Sequence, residues 1–223
     1  MTKRNILLAA AIAALAAKPA LASEDTQHWE TLTVNLGLPD NFRLQSETVV
    51  RSSDARGLYE IEQNFMLGKK LSKTTTVWLG YTFDPTYDHG DFQRREHRFR
   101  QQVSFDNVLT VNKVRVSGRI RMEERWREGL SGTGWRLRPQ QKIVMPFVGK
   151  STLSLSSEQF LNLNANAVQR TTGLDRMRNA ISVGLPISKK FSVDVGYLNQ
   201  HGFVRNREDT SDHILTIGLT TSL

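Results

Sequence analysis

The sequence contains no cysteine among its 223 residues. A disulfide framework and a thiolate metal site are therefore excluded. The sequence also has only one uncharged apolar run of any length, Ile6–Ala17, so no later segment is long enough to cross a bilayer as a helix. Neither a G-x-S-x-G nor an H-E-x-x-H motif occurs, so the local signatures of serine hydrolases and zinc proteases are missing.

The first residues have the organisation of a secretory signal peptide. Two basic residues, Lys3 and Arg4, precede the apolar run, and an A-x-A sequence ends at Ala22. This order predicts export and cleavage after Ala22. A transmembrane anchor is disfavoured, because about twelve residues span only ~18 Å of the ~30 Å hydrocarbon core. The sequence thus predicts a signal peptide at residues 1–22 and one domain at residues 23–223.

The charge is strongly positive, with a formal net charge of +8. Three basic and no acidic residues precede Ala22, so the remainder holds 27 basic and 22 acidic residues, a formal +5. Such an excess fits a nucleic-acid-binding protein, a surface on anionic lipid, or a pathway for anions. Export removes the first alternative, so no nucleic-acid partner is expected.

The remainder of the sequence alternates apolar and polar residues, which is the period of a pleated strand. In Val114–Glu123, apolar residues such as Val116 and Ile120 alternate with basic ones such as Arg119 and Arg121. About eleven such segments are found: 29–36, 42–51, 59–67, 74–83, 94–105, 114–123, 135–147, 151–162, 176–185, 191–197 and 215–223. Because single-chain bacterial barrels usually have an even number of strands, we expect ten to twelve.

The connections between these segments alternate in length. Short ones are Leu38–Asn41, Lys69–Lys73, Phe147–Ser151 and Pro186–Lys190; long polar ones are Ser52–Leu58, Asp84–Phe92, Glu128–Gly134, Asn164–Gly173 and Phe203–Asp212. Tight turns at one end and longer loops at the other are typical of outer-membrane barrels. We therefore predict an all-β fold, a closed antiparallel transmembrane β-barrel.

Aromatic residues concentrate at both ends of the predicted strands. Those beside long connections are Tyr59, Tyr81, Phe83, Trp126 and Trp135, and those beside short ones are Phe105, Phe147 and Phe191. Rings at strand ends with aliphatic residues between them are typical of the two interfacial girdles of a membrane barrel. The alternative is that these rings are corner residues of a globular core. The girdle interpretation predicts the bacterial outer membrane as the location and its lipid as a partner.

The charged phase of the strands would then face the lumen. A midplane arginine facing lipid costs up to about 2–4 kcal/mol, whereas inside a closed barrel it can pair with a carboxylate. Twelve basic and seven acidic residues form this candidate pore lining: Arg43, Glu47, Glu60, Glu62, Glu96, Arg98, Arg100, Arg115, Arg119, Arg121, Glu123, Arg125, Arg136, Arg138, Lys142, Glu158, Arg176, Arg178 and Asp194.

Several motifs, taken in their order along the chain, resemble the domain of unknown function 2490 family of bacterial outer-membrane β-barrel proteins. They include Leu44-x-x-Glu47-x-x-x-Arg51, Gly80-Tyr81, Glu96-x-Arg98-x-x-Gln101-Gln102, Arg119-x-Arg121-x-Glu123-x-Arg125 and Gly196-Tyr197. The resemblance implies a Gram-negative outer-membrane barrel without a known activity. The barrel-assembly machinery is then an expected partner, although the last strand ends in Leu223 and not in the usual aromatic residue.

Three functions remain open at this point. The basic excess of the lining suits a narrow, porin-like channel for small anionic solutes. Alternatively, arginine–glutamate pairs fill a closed structural barrel whose loops act at the surface. A lipid-modifying enzyme is disfavoured, because His97 and Ser104 lie in opposite phases and cannot pair. His89 with Asp84, Asp88 and Asp91 is interpreted as a solvated loop, so no metal, cofactor or catalytic residue is expected.

Overall fold

The computed structural model describes residues 26–205 and 208–223, so the predicted signal peptide and the cleavage site at Ala22 lie outside the described residues. These residues form one short 3₁₀ turn, Pro39–Asn41, and eleven strands. The strands are β1 Thr26–Gly37, β2 Phe42–Ser53, β3 Gly57–Lys70, β4 Thr75–Asp88, β5 Asp91–Val111, β6 Val114–Arg127, β7 Gly134–Pro146, β8 Thr152–Asn162, β9 Gly173–Pro186, β10 Phe191–Gly202 and β11 Thr210–Ser222. Across the described ranges, no helix has the length and apolarity needed to span a membrane.

The strands close into a single barrel, with each strand antiparallel to its neighbours in the chain. Closure occurs between β1 and β11, which run parallel from the Thr26–His213 pair to the Asn35–Ser222 pair. With an odd number of strands in up-and-down order, the first and last strands point the same way, so their pairing has to be parallel. The predicted all-β closed barrel of ten to twelve strands is confirmed, but its strand number is odd and not even as in most single-chain bacterial barrels.

The alternation of the strands separates an exterior from an interior. On β4, Leu79 and Tyr81 are exposed, whereas Thr82 is fully buried. Glu62 on β3 forms an ion pair with Arg98 on β5, although β4 lies between these strands. In a closed barrel, side chains of non-adjacent strands meet in this way only through the interior, so the buried polar phase is the inner one.

The hairpin between β4 and β5 is tighter than the sequence indicated. The predicted long connection Asp84–Phe92 is mostly strand, because β4 continues to Asp88 and β5 begins at Asp91. Only His89 and Gly90 form the turn, with φ of 49° and 90°. Positive φ at both turn residues matches the twist of the flanking strands. The longer connections follow β6, β8 and β10, all at this end of the barrel.

Tyr59 was predicted to face outward, and this prediction is wrong. The pairing of β2 with β3 shifts between Arg51 and Ser52, where Arg51 lies opposite Glu60 and Ser52 opposite Leu58. Tyr59 is the extra residue of this β-bulge, and its side chain is 6% exposed. A bulge changes the phase of a strand locally, which period-two reasoning cannot detect.

Gly80 gives a test of the packing inside the barrel. A Cβ atom at this position would lie 2.6 Å from the carbonyl oxygen of Phe65 and would also overlap the side chain of Met66. We expect Gly80→Ala to lower the free energy of unfolding by about 1–3 kcal/mol, because overpacking forces neighbours to move. Gly218→Ala is the matched control, since its Cβ would have no neighbour closer than 3.8 Å. Equal urea midpoints for the two variants in detergent would contradict this account.

Candidate functional site in the barrel interior

A layer of buried ion pairs crosses the middle of the barrel. This central ion-pair layer consists of Glu62, Arg100, Glu123, Arg136, Arg138 and Glu158. Within it Glu123 is 0% and Arg100 1% exposed. Charged side chains are almost never buried to this degree unless they are paired. At this level, therefore, side chains and not solvent occupy the interior.

Glu123 on β6 is the most heavily coordinated carboxylate of the layer. Its Oε2 accepts hydrogen bonds from Nε and Nη2 of Arg136 at 2.8 and 2.6 Å. Its Oε1 accepts from Nη1 of Arg138 at 2.7 Å and lies 3.1 Å from Nε of Arg100. Charge-assisted contacts of this length are strong and directional, so Glu123 fixes three guanidinium groups from β5 and β7.

Two further glutamates extend the layer to either side. Oε1 of Glu62 lies 2.9 Å from Nη2 of Arg100, and its Oε2 accepts from Arg51 at 3.1 Å. Glu158 on β8 accepts from Nη2 of Arg138 at 2.9 Å. Its second oxygen accepts from Nη2 of Arg119 at 2.8 Å. The ion pairs consequently run without interruption across the inner faces of β2 to β8.

A second cluster lies nearer to the long connections and is organised by Glu96. Both oxygens of Glu96 accept from Arg125, at 2.8 and 3.0 Å, and the same carboxylate binds Arg98 and Arg127. Arg98 also pairs with Asp84 on β4. Every carboxylate of this cluster is therefore neutralised by arginine.

Two recesses lie on opposite sides of the central ion-pair layer. The long-loop recess has a volume of about 570 Å³ and is lined by residues such as Arg56 and Asp88, close to the turns of that end. The short-turn recess has a volume of about 690 Å³ and is lined by residues such as Gly37, Asp106 and Leu223. Side chains of the layer, including Arg136 and Arg138, form the floor of the long-loop recess.

The wall formed by β9, β10, β11 and β1 differs from the rest of the interior. Arg176 and Arg178 on β9 both donate to Oε1 of Gln200, at 3.3 and 2.8 Å. Within residues 26–205 and 208–223, neither arginine has a carboxylate within ion-pair distance. The guanidinium carbon of Arg178 lies 4.6 Å from the ring centre of Trp29 and 4.7 Å from that of Phe160. Arg178 is thus held by aromatic rings and an amide, whereas most of the other interior arginines are held by carboxylates. Arg121, which donates to Gln102, is a further exception.

The sequence-predicted lining residues fall into three groups by burial. Buried are Glu62, Glu96, Arg98, Arg100, Arg121, Glu123, Arg125, Arg136, Arg138 and Glu158. Half-buried are Glu47, Glu60, Arg119, Arg176, Arg178 and Asp194, and exposed are Arg43, Arg115 and Lys142. Of the exposed residues, Arg43 and Lys142 line the short-turn recess, whereas Arg115 lines neither recess.

Some interior residues were missed from the sequence. Arg51 shares the phase of Glu47, so the alternation could have found it. Asp84 was assigned to a connection because β4 was ended too early. Trp29 and Phe160 are aromatic, yet they are 7% and 1% exposed and contact arginines. The position of Phe160 in the phase of Glu158 was the available signal.

Carboxylates also meet in a group that resembles a cation site. Oxygens of Glu60, Glu62 and Asp84 lie within 4.8 Å of one another. Arg51 pairs with both glutamates and Arg98 with Glu62 and Asp84, so guanidinium groups already supply the positive charge there. The weak cation site considered for the 84–91 loop is not assembled, because Asp84 points inward to Arg98.

Comparison with known proteins identifies the family. The family described as "Protein of unknown function (DUF2490)" matches residues 26–211, from β1 into β11. The chain belongs to this family. An uncharacterized protein of Methylorubrum extorquens is 31% identical to this DUF2490 protein over 172 residues, which cover 73% of this chain and 74% of the relative. No solved structure gives a significant match. The family resemblance predicted from the motifs is confirmed.

Proposed function

We propose that this DUF2490 protein is an exported bacterial outer-membrane barrel whose interior is closed, so that it acts as a surface barrel and not as an open pore. The observation that carries the proposal is the central ion-pair layer, in which Arg100 and Glu123 are almost completely excluded from solvent. Outer-membrane lipid and the barrel-assembly machinery are its proposed partners. Nucleic acid is not a partner in this proposal.

The exterior supports placement in a membrane. Large apolar side chains such as Phe65, Leu79 and Ile120 are at least half exposed although they lie in the middle of strands. A soluble protein rarely leaves so many apolar side chains uncovered around its whole circumference. Trp126 and Trp135 flank one loop on this face, and Nε1 of Trp126 donates to Oγ1 of Thr133 at 2.9 Å. A ring with an apolar body and a bonded polar tip suits the lipid–water interface.

The side chains that fill the interior support the proposed closed state. A barrel of eleven strands has more room than one of eight, whose side chains fill it. Here the additional room is occupied by arginine side chains that cross between strands, such as Arg100 from β5 to Glu62 on β3. Since these groups are paired, moving them aside exposes several charges at once.

An anion-biased channel is the second candidate, favoured by the lining of the long-loop recess. Ten arginines and six acidic residues line it, which gives an excess of four positive charges. Conduction in this candidate requires that the central ion-pair layer rearranges.

We propose no enzymatic activity, because the described histidines lie on the exterior phase of strands or, for His89, in a turn, where they cannot activate an interior hydroxyl.

The test combines localisation with conductance. Full-length protein expressed in a Gram-negative host should be shortened at Ala22, fractionate with the outer membrane, and migrate faster on gels before boiling than after. A variant without residues 1–22 is the control and should stay in the cytoplasm. In planar bilayers the refolded barrel should give no unitary conductance. Steady channels in the unmodified protein would contradict the closed state, and a cytoplasmic location of the full-length chain would contradict the outer-membrane assignment.

A further inference from the structure

The long-loop recess contains two neighbouring arginines, Arg176 and Arg178, that form no ion pair with any described carboxylate. We propose that Arg176 and Arg178 bind a small anion there, a ligand that carries a carboxylate or a phosphate group. This proposal rests on the proposed function, because the central ion-pair layer forms the closed floor of the recess to which the ligand is assigned.

The first support is the hydrogen bonding of these arginines. Arg178 uses Nε for Gln200, and no residue in the described part of the chain accepts a hydrogen bond from its Nη1 or Nη2. Gln200 in turn donates from Nε2 to Oδ2 of Asp212 at 2.7 Å, which fixes its oxygen toward the two arginines. The pair is therefore positioned by a neutral amide, and donors remain available to a ligand.

The second support is the aromatic contacts of Arg178. The Trp29 ring that Arg178 contacts donates from Nε1 to the hydroxyl of Tyr59 at 2.8 Å, so this ring is itself held in place. Phe160 lies on the adjacent strand and contacts Arg176 as well, at 5.8 Å. Contacts to ring faces orient a guanidinium group without occupying its N–H donors, which lie in the plane of the group.

The third support is the contrast with the opposite wall of the same recess. Arg125 and Arg127 also line it, but both are bound by Glu96. Among the recess arginines that form no ion pair within the described residues, Arg176 and Arg178 are half-buried neighbours on β9, whereas Arg56 and Arg94 are exposed. An anion entering from the long-loop end meets guanidinium donors of Arg176 and Arg178 that no carboxylate occupies, in a partly enclosed space where electrostatic attraction is stronger than in bulk water.

The size and chemistry of the site define the ligand class. A volume of about 570 Å³ lies within the range of pockets for small molecules. The planar fork of arginine matches a carboxylate or a phosphate with two parallel hydrogen bonds. Acidic sugars and inorganic phosphate share this chemistry, and the probes below distinguish them.

The experiment is isothermal titration calorimetry on the refolded full barrel in a non-ionic detergent, with inorganic phosphate in one arm and galacturonate in the other. We expect saturable binding of at least one probe, and Arg178→Gln should weaken it about tenfold or more, as for loss of a charged hydrogen-bonding partner. Arg178→Lys should retain part of the affinity, because it keeps the charge but not the fork. Lys142→Gln is the matched control: it also removes one positive charge, but from the short-turn recess.

The outcomes separate the alternatives. Binding of phosphate alone or of galacturonate alone supports the site and identifies the source of the anion. The proposal is overturned if the unmodified protein binds neither probe, if Arg178→Gln binds as tightly as the unmodified protein, or if Lys142→Gln weakens binding equally. If Arg178→Gln does not refold, Arg176→Gln serves the same comparison. Because binding is measured in detergent, its failure is distinguishable from the failure of the localisation and conductance tests.

Discussion

Glu123→Gln is expected to lower the free energy of unfolding by about 3–5 kcal/mol, the usual cost of breaking a buried ion pair by removing one partner. Glu123 is 0% exposed and holds the guanidinium groups of Arg100, Arg136 and Arg138. Glutamine has nearly the same shape, so the substitution removes charge without creating a cavity. The new amide group also points N–H donors toward the arginines, and guanidinium groups cannot accept hydrogen bonds. The buried positive charges are therefore left without a compensating negative charge.

Glu124→Gln is the matched control, one residue further along β6. Glu124 lies on the exterior phase and accepts a hydrogen bond from Gln101 at 2.9 Å, a contact that a glutamine oxygen can also accept. We expect a change below about 0.5 kcal/mol, as for most surface substitutions. The measurement is the urea midpoint of the heat-modifiable band in detergent. If both variants unfold at the same urea concentration, the charge of Glu123 in the central ion-pair layer does not stabilise the barrel.

Arg100→Ser is expected to convert a barrel that does not conduct ions into one that does. Arg100 is the largest of the side chains that are almost fully buried, and it joins Glu62, Asn64 and Glu123 across the interior. Its loss leaves each glutamate with other arginine partners, so the barrel should still fold. The space vacated is polar and can admit water, which solvates the remaining charges. Because arginines remain in excess around this space, the current should be carried preferentially by anions.

The control for this variant is Arg115→Ser, which removes the same charge from an exposed position that lines neither recess. Planar-bilayer recording should give discrete conductance steps for Arg100→Ser and none for Arg115→Ser or the unmodified protein. If a correctly refolded Arg100→Ser barrel gives no conductance steps, side chains outside the central ion-pair layer also block the interior. Channels of equal size in all three proteins would exclude a closed state altogether.

The sequence determined where the eleven strands lie, apart from some of their ends, and, apart from the bulge at Tyr59, which phase of each strand carries charge. The reason is local: successive side chains of a strand point to opposite faces, so an alternating segment such as Val114–Glu123 specifies both properties without reference to the remainder of the chain. Ten of the predicted lining residues, among them Arg98, Glu123 and Arg138, are accordingly buried. The family resemblance also came from local motifs, and the family match covers them.

Only the tertiary structure decided features that depend on pairing between distant segments. The parallel closure of β1 with β11 and the bulge at Tyr59 are properties of register, which composition and period do not record. Likewise, the alternation places many arginines inside but does not say which carboxylate each one meets. Those partners lie on the adjacent strand or two strands away around the barrel. Arg100 therefore forms ion pairs with Glu62 and Glu123, whereas Arg178 forms a hydrogen bond with Gln200, although the two arginines look alike in the sequence.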